Sequence, residues 1–361
     1  MSKISQLYTF SNFPVKMGCT SESSKKDLFF DMNWGISENG IVQLTDLLPL
    51  ELLYSDTHNP GTIGNTWKKH HDSFADFIKG SFVPNRIVEI GASSGLLVSR
   101  FLDLNFDFTW DIVEPSDQNY SDSRINHYKN IFEEFDPPHL YDVVIHSHLF
   151  EHVYNPIEFL LKVNKILKNG GNQFISVPNM PHFLKNGYSN GLNFEHTFFY
   201  DLETLDLIFE SCGFQIIDKI IGDHSIFFKA EKVESLLEQK TFKYESNLSS
   251  KKLFLNYLDL MMDTVNAVKK IEQKYDKVYL FGGHIFSQSL LNLGIKDIKI
   301  EGILDNDPLK EGLRLYGYDL NVYNPSIIEN QENILVIVKA GVFTKEVTEQ
   351  LKQINDKVTI I

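Results

Sequence analysis

Two carboxylates and two glycines stand at a spacing that suits a polar, ribose-bearing ligand. The run from Arg86 to Gly95 places Glu89, Gly91 and Gly95 as Glu-x-Gly-x-x-x-Gly. Glycines there take up dihedrals other residues avoid and let a ligand approach the main chain. Ala92 and Ser93 fill the turn between them. Roughly twenty residues on, Glu114-Pro115 ends an apolar run, where a doubly wound sheet places an acid for the two ribose hydroxyls. Further along, Glu195-His196 sets a carboxylate beside an imidazole, which titrates close to neutral pH and suits proton removal from an acceptor. Asn193 adds an amide two positions earlier. Each feature has a plain alternative: a close-packed turn, a solvated strand-end acid, a helix cap.

The elements that must position these groups follow from the apolar pattern. Ile87, Val88 and Ile90 form a short run suited to a buried parallel strand. Residues 96–102 read as an amphipathic helix whose free N–H groups would point into the same space. The dinucleotide fingerprint Gly-x-Gly-x-x-Gly is not met, because Ser93 stands at its second glycine. Further strands are expected at 110–114, near 127–131 and at 141–146. Carboxyl ends of such strands line the ligand crevice, so His146 and His148 are expected to face it. With Glu151 these histidines could suggest a metal, but Glu151 and His152 are expected to open a helix pointing away from His146. A helix over 157–167 stops at Lys168-Asn169-Gly170-Gly171. A fifth strand at 173–178, a long loop over 179–191 and a helix over 202–211 come next, then antiparallel strands near 215–221 and 225–231.

The glycine motif with Glu114 resembles the first motifs of class I S-adenosylmethionine (SAM)-dependent methyltransferases. The Leu149-Phe150-Glu151-His152-Val153 run is similar to the segment after the fourth strand in a large subfamily of them. The resemblance implies SAM as cofactor, with Glu89 near its methionine end, Gly91, Ala92, Ser93 and Gly95 beneath it, Glu114 and Pro115 at the ribose, and His146 in the lining. Nearly the whole chain resembles the three-domain sugar C-methyltransferases. That implies an α/β fold: a doubly wound class I methyltransferase core with a small N-terminal module and a second, Rossmann-like C-terminal domain. Boundaries are expected at 1–80, 81–232, 233–275 (a helical connector) and 276–361.

In that family the N-terminal module binds zinc through two cysteine pairs. Here Ile36 and Asn39 stand where the pair before Gly40 belongs, and Cys19 has no partner, so no metal is expected. His70 and His71, on a helix over 68–79, are expected as surface or lid residues. The family's Tyr-x-Glu-His segment maps onto Asn193, Glu195 and His196, which implies His196 as base. Asn193 in place of the tyrosine favours a sugar hydroxyl over a ketone-activated carbon. The acceptor so implied is a nucleotide-activated sugar. A second strand–Gly282-Gly283-His284–helix pattern begins at Lys277. The resemblance implies no cofactor there, and a second cofactor site is the rival reading.

Composition narrows the field. The 361 residues are 42% hydrophobic and 23% charged, ordinary for a globular chain large enough for two or three cores. No run of ~18 apolar residues offers a membrane helix, and the first residues lack the apolar core of a secretion signal. Two cysteines support no disulfide framework, so a reduced cytoplasmic setting is expected. A net charge of −14 argues against nucleic acid or acidic lipid as partner. A SAM-dependent enzyme of another small metabolite and a non-catalytic binding protein stay open, and the oligomeric state is unassigned.

Overall fold

The apolar runs at 87–90, 110–113 and 141–146 become adjacent strands of one twisted sheet in the computed structural model. It describes residues 4–38, 40–53, 65–81, 86–103, 107–233 and 248–361. Two units emerge, Asn59–Asn179 with Tyr200–Lys243, and Met1–His58 with Met180–Phe199 and Tyr244–Ile361. Asn39, the stretch from Asn59 to Gly64 and residues 234–247 of the expected connector lie outside the described residues.

In the first of these units seven strands are described, in the order Phe214–Ile221, Ser225–Lys232, Leu167–Pro178, Tyr141–Ser147, Arg86–Ile90, Thr109–Val113, Ile125–Tyr128. The pairs from Leu167–Pro178 to Ile125–Tyr128 are parallel, and Ser225–Lys232 is antiparallel to both neighbours. This is the expected doubly wound class I architecture. Arg86–Ile90 sits at the switch point, with Ile90 beside Val113 on one side and His146 on the other. Ligands bind outside the carboxyl ends of strands at such a point. Ile87, Ile112, Ile145 and Phe174 pack with Phe74 and Ile78 of the helix Asn65–Lys79, so that helix belongs to this unit.

Two local expectations fail here. The segment 96–102 is not an α-helix but a turn and a 3-10 helix, Val98–Arg100. The Leu96 carbonyl accepts from Ser99 Oγ and Arg100 Nη1, both at 2.7 Å, while the Arg100 N–H goes to Leu97. Side chains thus compete for an acceptor a helical turn would need. The helix expected over 157–167 is Pro156–Ile166, capped by Asn155. Its stop leads straight into the strand Leu167–Pro178 without an intervening loop.

The other unit joins the two ends of the chain. Antiparallel strands Ile4–Pro14, Phe29–Ser37 and Val42–Leu44 are completed by Phe198–Phe199. A parallel sheet of five described strands runs Val322–Tyr323, Gly302–Leu304, Lys277–Phe281, Ile334–Val338, Thr359–Ile360. This is the second, Rossmann-like domain. One apolar cluster takes Phe13 and Trp34 from the N-terminal sheet, Phe183 and Phe194 from 180–199, and Leu280 and Leu335 from the parallel sheet. The helix Leu248–Ile271 adds Phe254, Tyr257, Met261 and Val265, whereas its Leu255 and Met262 are exposed. The expected loop over 179–191 contains a helix, Met180–Lys185, because Phe183 and Leu184 have this core to enter. Among the described residues no helix is long and apolar enough to cross a membrane.

Candidate functional site

The turn after Arg86–Ile90 is held in a shape glycine makes possible. Gly91 and Gly95 both have φ +70°, and Ser93 between them has φ +48°. A Cβ on Gly95 would come 2.5 Å from Tyr120 Cε1, and one on Gly91 3.1 Å from Leu149 Cδ1. The Gly91 N–H is tied to the Val113 carbonyl at 2.9 Å, which fastens the turn to the neighbouring strand.

Glu114, ending that strand, reaches back to the same turn. Its Oε2 accepts the Ser93 N–H and its Oε1 the Ser116 N–H, each at 3.0 Å. An ionised carboxylate offers about four acceptor positions. Two are filled by the backbone, which leaves two for a vicinal diol. Glu89 lies deeper: the Trp110 indole N–H donates to its Oε2 at 3.0 Å. Burial pushes its carboxyl up to about 8, against the indole bond, with Glu114 adding to the rise. The Tyr120 hydroxyl is buried and has no partner among the described residues. Burial, then Glu89 and Glu114, push it up to about 12. A buried hydroxyl without a partner, facing two acids beside a glycine turn, fits a polar ligand with hydroxyl and amino groups.

Glu89, Gly91, Ala92, Ser93, Gly95 and Glu114 are thus gathered about one turn, and Pro115 follows on the surface. His146 is not: it is fully enclosed, ring to ring with Phe150 and Phe159 at 6.0 and 5.3 Å. Burial holds its imidazole down at about 4. The strand ends at Ser147, and His148, at φ +49° just beyond it, is the half-buried histidine at this strand end. His70 corrects a second expectation, because it is buried rather than on the helix surface. Sequence reasoning missed Tyr120, Trp110 as a partner of Glu89, and the Ser116 N–H. Trp110 was findable, since it pairs with Ile87 in adjacent strands; Tyr120 lies in a loop that no periodicity marks.

Asn193, Glu195 and His196 belong to the other unit. Asn193 Oδ1 accepts the N–H groups of Glu195 at 2.8 Å and His196 at 3.0 Å, so its side chain shapes the turn. Burial pushes the Glu195 carboxyl up to about 7. His196 Nδ1 lies 3.1 Å from the Gly191 carbonyl. A carbonyl only accepts, so Nδ1 carries the proton and Nε2 is the basic nitrogen. The next helix, Leu202–Ser211, is capped by Asp201 and not by this pair.

The zinc that the resemblance implies does not fit the N-terminal strands. Cys19 Sγ donates to the Gly283 carbonyl, and burial pushes its thiol up to about 12. The Gly282-Gly283 turn of the C-terminal domain is occupied by the chain itself. Asp305 Oδ2 accepts the Gly283 N–H at 2.7 Å and Lys310 Nζ at 3.0 Å, while Cys19 fills the space a Cβ on Gly283 would need.

Residues 66–219 match the methyltransferase domain family, and residues 229–360 match the family described as C-methyltransferase C-terminal domain. No curated protein matches the sequence. Among solved structures, a Burkholderia thailandensis 1,6-didemethyltoxoflavin-N1-methyltransferase, bound to 1,6-didemethyltoxoflavin and S-adenosylhomocysteine, is similar over 47% of this chain and 80% of its own. It shares 14% identity at a TM-score of 0.39. The N-methyltransferase NodS from Bradyrhizobium japonicum WM9 is similar over 46% of this chain and 96% of its own, with 10% identity and a TM-score of 0.37.

Proposed function

From the premise that the chain is a SAM-dependent methyltransferase with a C-methyltransferase C-terminal domain, we propose that its acceptor is a nucleotide-activated sugar, methylated on a hydroxyl. What supports the sugar is the order of parts along the chain. A strand-rich N-terminal segment, a class I core and a C-methyltransferase C-terminal domain over 229–360 follow one another as in the sugar C-methyltransferases the sequence resembles. What supports the hydroxyl is Asn193, whose Oδ1 is committed to two backbone N–H groups where the family has a phenol.

SAM, when bound, supplies an electrophilic methyl group. Glu114 orients the ribose diol, Glu89 serves the methionine end, and Tyr120 closes the turn. A sugar hydroxyl is a weak nucleophile until its proton is removed. His196 is the base in this reading, and Nε2 is the nitrogen that would take the hydroxyl proton. Burial raises the adjacent Glu195 carboxyl to about 7, so it carries less negative charge near neutral pH than an ordinary glutamate.

The C-terminal match favours a second reading, methylation at a carbon beside a ketone. One experiment addresses both. Full-length protein is incubated with SAM and a panel of nucleoside-diphosphate hexoses and keto-sugars, with mass readout and NMR of any product. Gain of one methyl on a sugar oxygen is expected. A methyl on quaternary carbon would establish the second reading, and no methyl gain across the panel would remove the sugar.

A further inference from the structure

We propose that His70, His148 and His224 form a three-imidazole site for a divalent transition-metal ion of the zinc or cobalt class, next to the cofactor turn. All three residues belong to the methyltransferase unit and come from separate elements. His70 is on the helix Asn65–Lys79, His148 directly follows the strand Tyr141–Ser147, and His224 lies in the turn before the strand Ser225–Lys232. One ring nitrogen of each lies within 4.8 Å of the others. They converge on a single atom, Ser225 Oγ: His70 Nδ1 at 3.2 Å, His148 Nε2 at 2.9 Å and His224 Nδ1 at 2.7 Å.

The second nitrogens show which lone pairs can turn inward. His148 Nδ1 lies 3.3 Å from the buried Glu151 Oε1, and with the proton on Nδ1 the Nε2 lone pair turns to the centre. His70 Nε2 faces Ser147 Oγ at 3.1 Å. With the proton on that nitrogen, Nδ1 too presents a lone pair to the centre. With both protons turned outward, a cation at the centre would take these two lone pairs together with that of His224. The outward partners are those that metal-bound imidazoles usually keep, a carboxylate and a hydroxyl on the second nitrogen. A Zn–N length of ~2.05 Å puts ligand nitrogens ~3.3 Å apart in a tetrahedron, so the three rings, whose nitrogens lie within 4.8 Å of one another, need close by about 1.5 Å at most. Ser225 Oγ or a solvent molecule supplies the fourth position.

Two further features are built around the cluster. His148 is held at φ +49°, a conformation costly for a residue with a side chain and found where geometry matters. Trp67 sets its ring against all three imidazoles, with centroids 5.3, 4.9 and 5.2 Å from His70, His148 and His224. Burial holds His70 and His224 neutral, the form that binds metal. Imidazole sets select zinc, copper, cobalt or nickel over magnesium and calcium. The next residue after His148, Leu149, lies against Gly91, so the ion would stand beside the cofactor turn.

The test uses tag-free, full-length protein stripped with a chelator and titrated with Co²⁺, then with Zn²⁺. One equivalent should bind, giving the visible bands of a four-coordinate nitrogen and oxygen site that Zn²⁺ displaces. His224→Ala is the main variant, since that residue is half-buried in a turn and carries little of the core. It should lose affinity by more than the 10–100-fold typical of an outer partner, which Glu151→Gln should show. Ser225→Ala should still bind, and His182→Asn, in the other unit, should match wild type. Circular dichroism checks that each variant is folded. No Co²⁺ bands at millimolar metal, or bands unchanged in His224→Ala, would overturn the site.

Discussion

Glu89 is a carboxyl group with one indole partner and otherwise little solvent, and it gives the protein a pH signature. Its folded pKa of about 8 lies above the ordinary value of 4.5. Between those values the folded chain keeps a proton that the unfolded chain releases, so stability falls as pH rises through the window. Glu195, raised to about 7, acts in the same direction. Urea midpoints measured across this range should decline in wild type and decline less in Glu89→Gln; equal slopes would contradict the burial. At His196 the expectation is kinetic. A positioned base is worth about 10²–10⁴-fold, so His196→Ala should lower kcat by that order with SAM affinity unchanged. A variant keeping more than a third of wild-type kcat, with chemistry limiting, would remove His196 from the mechanism. Residue types and spacing disclosed Glu89, Gly91, Gly95 and Glu114, because strand-end acids and turn glycines leave local marks. They did not disclose Tyr120, or that His70 is buried, because both depend on what packs from distant parts of the chain.

Among elements, strands that read as apolar runs were legible and those that mix polar with apolar residues were not. Ile4–Pro14 and Phe29–Ser37 pair with bulges at two places, which breaks the period-two alternation a sequence would show. The turn after Gly95 was misjudged as a helix because apolar spacing cannot reveal Ser99 and Arg100 competing for the Leu96 carbonyl. Gly95→Ala tests that turn. It forces a side chain to φ +70° and against Tyr120, so a loss of about 1–3 kcal/mol in stability and weaker SAM binding are expected. Stability at wild-type level by urea titration would mean the turn is not constrained as described. In the other unit, Arg314 binds Asp27 through both Nη atoms at 2.7 Å, and Asp27 also accepts the Gly317 N–H. Asp27 is nearly buried, so Arg314→Ala should cost about 3–5 kcal/mol by leaving its carboxylate unpaired. A change below about 1 kcal/mol would show the pair to be dispensable.

At the scale of the molecule, the doubly wound core follows from apolar runs alternating with helices, and that much the chain declares openly. Its division into units does not follow from order alone. Residues 180–199 and the first 58 group with the C-terminal sheet because Phe183, Phe194 and Trp34 enter the same apolar cluster as Leu280. No local pattern announces such long-range packing. The account as a whole stands on SAM being held above Gly91 with its ribose on Glu114. Calorimetric titration of the full chain with SAM, in wild type and in Glu114→Ala, tests this most directly. Two charge-assisted hydrogen bonds of about 1.5–3 kcal/mol each are lost in the variant, so saturable one-to-one binding in wild type and a fall of more than tenfold are expected. Absence of wild-type binding, or a fall of less than threefold, would contradict it.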